Sequence, residues 1–122
     1  KMASWVARQQ DAQNVTEIKD DNPRTLYQLH STQHMTCGTE TIPTNSKVPW
    51  HQHEQQSEML YCVSGTGTVM LENENNKYPF TPGVMVCAPP GIKHTIINTG
   101  DQDLCLVWNI APPLNVDQFI AK

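Results

Sequence analysis

The 122-residue sequence has no CxxC pair, no run of basic residues and only two arginines, Arg8 and Arg24. The first absence leaves a structural zinc knuckle without support, because such knuckles draw paired thiolates from one short loop. The second disfavours nucleic acid and anionic membranes as partners. The eight Lys and Arg residues are scattered from Lys1 to Lys122 on a chain of net charge −4, whereas phosphate neutralisation needs them clustered. The scarcity of arginine also argues against a phosphorylated or multiply anionic substrate, since bidentate clamps on such groups usually use guanidinium. No stretch is long and apolar enough to span a membrane, and Lys1 to Trp5 opens no secretion signal, so a cytoplasmic protein is expected. Internal repeats, low-complexity linkers and any long segment of helical period are missing as well.

What is present is an ordinary globular composition, 38% hydrophobic and 16% charged, on a chain of the size of one domain with one core. Four cysteines, Cys37, Cys62, Cys87 and Cys105, are far apart, and the last three sit inside apolar runs, which reads as free thiols behaving as small hydrophobes. The Asn14-Val15-Thr16 sequon is taken as chance in a protein that is not secreted. From Thr25 onward short β-like runs alternate with Gly, Pro and Asn turns. The expected strands are Thr25 to Thr32, Lys47 to His53, Glu58 to Ser64, Gly67 to Glu72, Val84 to Ala88, Lys93 to Asn98 and Leu104 to Ile110. Strands this short and this regular predict an all-β sandwich or small antiparallel barrel, in which closing the sheet removes exposed edges. Residues 1–24 are expected as an edge strand and loop, with Trp5 and Val6 as candidate strand residues, residues 25–112 as the barrel, and residues 113–122 as a tail.

The chemistry-bearing residues cluster in two places. His51 and His53 are two apart on one strand, so alternation puts both imidazoles on one face. Glu58 opens the next strand after the polar connection Glu54-Gln55-Gln56-Ser57, and His94 begins another strand after Pro89-Pro90-Gly91. Three imidazoles and a carboxylate suit a divalent metal with open coordination positions. Spacing alone leaves the alternative open, since a His-x-His pair on a strand is also found as surface or hydrogen-bonded core residues. His30 and His34 are read in that ordinary way.

The segment from Asn45 to Gly65 resembles the first motif of the cupin superfamily: a glycine, five residues, His-x-His, three or four residues, Glu, six residues and a glycine. Here Asn45 replaces the opening glycine, and His51, His53, Glu58 and Gly65 match. Asn tolerates the left-handed backbone conformation better than most residues. Gly83, Pro89, Gly91, His94 and Asn98 match the second motif in full, 17 residues further on from Thr66 to Pro82. The resemblance covers about residues 25 to 112 and implies a double-stranded β-helix, or jelly-roll, barrel. It also implies one divalent metal ion held by His51, His53, Glu58 and His94. Iron, manganese or nickel suit this donor set best, with zinc, copper and cobalt as alternatives.

The function this implies is a metal-dependent enzyme acting on a small organic molecule, with a dioxygenase placed slightly ahead of a redox-neutral lyase or isomerase. A non-catalytic small-molecule-binding module is the further alternative, and a storage role does not suit one short barrel. Glu58 and Tyr61 are the candidate proton-moving residues. Gln56, Met59, Trp50, Asn98 and Trp108 are weaker candidates for the pocket wall. A homodimer is expected, on the ground that such a barrel has open sheet edges and a first strand free to pair.

Overall fold

The computed structural model describes residues 5–16, 18 and 20–114. The described residues form ten strands: β1 Gln13–Asn14, β2 Thr25–Ser31, β3 Thr36–Ile42, β4 Lys47–His51, β5 Ser57–Ser64, β6 Gly67–Leu71, β7 Lys77–Phe80, β8 Met85–Ala88, β9 His94–Asn98 and β10 Leu104–Ala111. One turn of 3-10 helix, Gln9–Asp11, precedes them. A six-stranded sheet in the order β1-β2-β3-β10-β5-β8 faces a four-stranded sheet in the order β4-β9-β6-β7, and every pairing is antiparallel. This is the expected jelly-roll barrel.

Alternation along the strands builds the interior. On β10 the side chains of Leu104, Leu106, Trp108 and Ile110 are buried, and the residues between them are more exposed. Leu60 and Cys62 of β5, Val69 of β6, Phe80 of β7, Val86 of β8, Ile96 of β9 and Ile42 of β3 complete one apolar core between the sheets. Trp108 is the largest side chain in it, and its ring lies against Gly38 across the β3–β10 pair, with Nε1–H donating to the Thr39 carbonyl at 3.0 Å. A Cβ at Gly38 would stand 1.8 Å from the Tyr27 carbonyl oxygen and 2.7 Å from the Trp108 ring, so only glycine fits. The four cysteines are free, as expected. Burial, with Cys105 nearby, pushes the Cys62 thiol up and keeps it protonated.

Two strands fall outside the expected set. β3 reads as polar in sequence because its inward positions are Thr36, Gly38, Glu40 and Ile42, only the last of them a large hydrophobe. Glu40 is buried against Arg24, with its Oε2 3.3 Å from the guanidinium Nε. β7 carries Pro79, which a sheet tolerates because β7 lies at the edge. Trp5 and Val6 are in no strand and are largely exposed, while the short edge strand falls at Gln13–Asn14. Of the expected tail, residues 115–122 lie outside the described residues; Leu114 is buried in the core and its carbonyl accepts from the Thr36 hydroxyl.

Candidate metal centre

Three pieces of backbone bring the polar residues to one end of the barrel. In β4 the ladder with β9 is in register at Val48 opposite Ile96, then breaks, and resumes at His51 opposite His94. Pro49, which has no N–H to give, lies inside this irregularity, and bulges of this kind re-aim the side chains that follow. β9 runs between β4 and β6, with His94 also opposite Leu71, so its imidazole starts from the middle of the four-stranded sheet. Glu58 comes from the other sheet, where β5 places it between Ile110 and Ala88. A backbone bond from Gly91 N–H to the His53 carbonyl, 2.8 Å, ties the loop before β9 to the loop after β4.

The left-handed residue that opens β4 is Asn45, at φ 64°, so the asparagine does adopt the conformation that the motif's glycine would supply.

The side chains converge on one atom. Glu58 Oε1 lies 2.7 Å from His94 Nε2, 3.3 Å from His53 Nε2 and 3.4 Å from His51 Nε2. The donor atoms of His51, His53 and Glu58 lie within 4.8 Å of one another and form a group that could hold a metal ion. His94 adjoins this group through Glu58 and stacks near His51, with ring centroids 4.2 Å apart. The site is nearly dry. The side chains of Glu58, His53 and His94 are 7%, 3% and 1% exposed, and His51 at 18% is the most accessible of the four.

The imidazole tautomers follow from the backbone. His51 Nδ1 is 2.9 Å from the Pro49 carbonyl and His94 Nδ1 is 3.0 Å from the Ile92 carbonyl. A carbonyl oxygen only accepts, so each Nδ1 carries the proton, and a neutral ring then presents a bare lone pair at Nε2. Each Nε2 points at Glu58 Oε1, and an Nε2 that carries a proton donates it there. Burial raises the affinity of Glu58 for a proton, but the hydrogen bonds from His51, His53 and His94, with the charge on His51, outweigh it and hold the carboxyl well below its usual range. Glu58 Oε1 is thus the common partner of three imidazole Nε2 atoms at 2.7–3.4 Å, and a cation placed among them would take over the protons' position. The donor set therefore fits a divalent metal, and the carbonyls of Pro49 and Ile92 orient two of the imidazoles that would face it. Nothing in the residue types announces these carbonyls, since any residue supplies one.

The weaker candidates divide. Gln56 is buried in the connection between His53 and Glu58. Tyr61 does not join the site: β5 buries Glu58, Leu60 and Cys62 on one face, and Tyr61, three residues from Glu58, lies on the outward face at 38% exposure. Met59 shares that outward side. Trp50 lines a surface groove of about 400 Å³ with Lys93 and the turn Glu72 to Asn75, and the Lys93 ammonium sits 5.9 Å from its ring centroid. Trp108 is a core residue, and Asn98 is a structural one whose side chain binds backbone.

Comparison with known proteins places this geometry. An uncharacterised protein of Methanocaldococcus jannaschii is 32% identical over 72 residues, which are 59% of this chain and 56% of that protein, so the match spans little more than half of the relative's length. L-ectoine synthase of Hahella chejuensis is 26% identical over 109 residues, 88% of this chain and 80% of that enzyme. Among solved structures, a predicted oxalate decarboxylase from Thermotoga maritima superposes with a TM-score of 0.72 at 21% identity, covering 87% of this chain and 97% of that one, a likeness of fold. The model of the cupin domain matches residues 38–110, from within β3 to within β10, with all four convergent side chains between, and the chain belongs to the cupin family.

Proposed function

We propose that the chain is a metal-dependent enzyme acting on a small organic molecule, with His51, His53, Glu58 and His94 as the ligands of one divalent ion. The observation that carries this reading is the convergence of three imidazole Nε2 atoms on a single buried oxygen of Glu58. Structural histidines in a core are usually satisfied one by one; here three share one carboxylate oxygen. The bound ion would supply Lewis acidity, polarising a carbonyl or enolate oxygen through open positions. The chain's own part is to hold that charge in a dry pocket, where electrostatic effects are strongest, and to admit substrate on the side of His51, the most exposed of the four. Glu58 alone of the two candidate proton-moving residues stays at the site. The cytoplasm, a reducing compartment, is the setting supported by four free thiols.

Redox-neutral chemistry, a lyase or isomerase type of reaction, is the branch we favour. It is supported by what the relatives are named for, an L-ectoine synthase and a predicted oxalate decarboxylase, neither of them an oxygenase. A dioxygenase is the second reading, supported by the carboxylate-and-imidazole donor set, which also suits Fe(II). Both are tested by loading the apoprotein anaerobically with Mn(II), Zn(II) or Fe(II) and screening small hydroxy and oxo acids for turnover under argon and in air. Turnover with several ions under argon is the expected result. A strict requirement for Fe(II) and O2 transfers the assignment to the oxidative branch, and a protein that takes up no divalent ion removes both.

A further inference from the structure

The four-stranded sheet carries His51 and His94 on its inner side, and its outer side holds a groove that the metal centre does not use. Trp50 and Lys93 immediately precede those two histidines, and neighbours in extended chain point to opposite sides. Trp50 and Lys93 are exposed, whereas His94 is buried and His51 turns towards Glu58. Between them and the β6–β7 turn Glu72 to Asn75 lies the groove of about 400 Å³, and none of the four convergent side chains lines it. That is the size of a small-molecule site. Trp50 is 37% exposed and takes no part in the core cluster, so the indole is left with a face in water. A rigid aromatic of this kind offers a large contact area and loses little side-chain freedom on binding.

The floor of the groove is preformed. Within the turn, Asn73 N–H donates to the Leu71 carbonyl at 2.8 Å, Asn75 N–H to Asn73 Oδ1 at 2.9 Å and Leu71 N–H to the Asn76 carbonyl at 3.1 Å. Glu72 N–H donates to the Lys93 carbonyl at 2.8 Å, which ties the turn to the segment that supplies the groove's cation. Glu72 itself sits at φ 70°, a left-handed conformation that turns usually give to glycine or asparagine. A carboxylate therefore stands where Asn73, Asn75 or Asn76 would have been the easier choice, and backbone strain of this kind clusters at binding sites. Backbone already tied in place need not be ordered when a ligand arrives, which removes one cost of binding.

The charges select the ligand. The Lys93 ammonium lies 5.9 Å from the Trp50 ring centroid, so a ligand cation brought to that ring meets a like charge. Glu72 and Glu74 on the floor oppose an anion in the same way. Apart from Trp50 the lining residues are all polar or charged, and a purely apolar molecule would cover them without pairing them. A neutral ring that carries hydroxyls suits every one. Its C–H face lies on the indole, and each hydroxyl both donates and accepts, so it pairs with carboxylate, amide and ammonium alike. We infer that the groove binds a sugar ring of a neutral saccharide, stacked on Trp50 and hydrogen-bonded by Lys93, Glu74 and Asn75. The inference stands apart from the proposed metal chemistry, because the groove faces away from Glu58.

The test is a titration of the isotope-labelled full chain, metal-free and loaded with Zn(II), with glucose, cellotriose and xylotriose, followed by the NMR shifts of backbone amides and indole N–H groups. Saturable shifts confined to Trp50, Lys93 and residues 72–76 are expected for at least one of the three sugars in both forms of the protein. A Kd of about 1–10 mM is expected, because an open groove leaves much of the ligand in water. Trp50→Ala should weaken binding about 10-fold, and Trp50→Phe, which keeps a flat face, should retain most of it. Lys93→Ala and Asn75→Ala, both at exposed positions, should each weaken it about 3-fold and test the site whatever the fate of Trp50→Ala. Tetramethylammonium and glucuronate, the cationic and anionic comparators, should bind more weakly than the best neutral sugar. Folding of each variant is read from near-UV circular dichroism. No saturable shift with any of the three sugars, or undiminished affinity in folded Trp50→Ala or in both exposed variants, overturns the proposal. So does tighter binding of either charged comparator. Shifts seen only in the zinc-loaded chain also overturn it, and assign the sugar to the metal centre instead.

Discussion

The two ends of the barrel both bury polar side chains, and they do opposite things with them. At the end away from the metal centre Asn98 is closed by backbone on every side: Nδ2–H donates to the Ile42 and Gln102 carbonyls, each at 2.8 Å, and Oδ1 accepts from Gly100 N–H at 2.9 Å. Donors there meet acceptors, and nothing is left to recruit. At the other end three imidazoles, of His51, His53 and His94, crowd on one oxygen of Glu58 at 2.7–3.4 Å, more donors than one atom needs and a set that a cation could share. Burial is common to both ends; what separates a structural polar cluster from a ligand site is whether its hydrogen-bonding capacity is already used.

The contrast can be broken by exchanging what each end loses. His51→Ala with His53→Ala should reduce metal content at least 1,000-fold while the barrel stays folded, since two of the proposed ligands would be gone and the core between the sheets is untouched. Elemental analysis of the folded double variant checks it; undiminished metal removes the centre from those residues. Asn98→Ala should do the reverse, leaving metal uptake intact and costing about 2–4 kcal/mol, because it orphans two carbonyls and an amide in a closed turn. Urea unfolding of the metal-free protein measures that cost, and a loss under 1 kcal/mol would mean that water replaces the amide.

pH sharpens the comparison further. Metal affinity should fall as pH drops, because a protonated imidazole cannot ligate, and titration of metal binding between pH 5 and 8 would follow the loss. The metal-free protein should respond lower down. Glu58 has a folded value below its ordinary 4.5, so the folded state binds fewer protons than the unfolded state between the two values. Its contribution to stability is complete above about 4.5 and is lost as pH falls through the depressed folded value. In Glu58→Gln that part of the acid loss should disappear, while the part belonging to other carboxylates remains. Equal acid sensitivity in the variant would show that the three imidazoles do not stabilise the charge.

Much of the fold was legible because turns and alternation are local. The Gly, Pro and Asn clusters bounded seven of the strands within a few residues, and His51-x-His53 declared its face by parity alone. The same parity separates Tyr61 from Glu58, and the proton-moving role expected for Tyr61 weighed phenol chemistry above strand geometry. β3 escaped because its buried face is polar or bare: Gly38 makes room for Trp108, seventy residues later in the chain, and Glu40 is answered by Arg24. No local pattern signals a gap that a distant side chain fills.

By itself, then, the sequence determined the all-β class, the four side chains that converge at one end of the barrel and the left-handed turn at Asn45, because each depends on residue type and short spacing. Only the tertiary structure decided which carbonyls fix the imidazole tautomers and which side of β5 faces the site. Those depend on register between strands far apart in the chain, and register is set by how the two sheets close over one core.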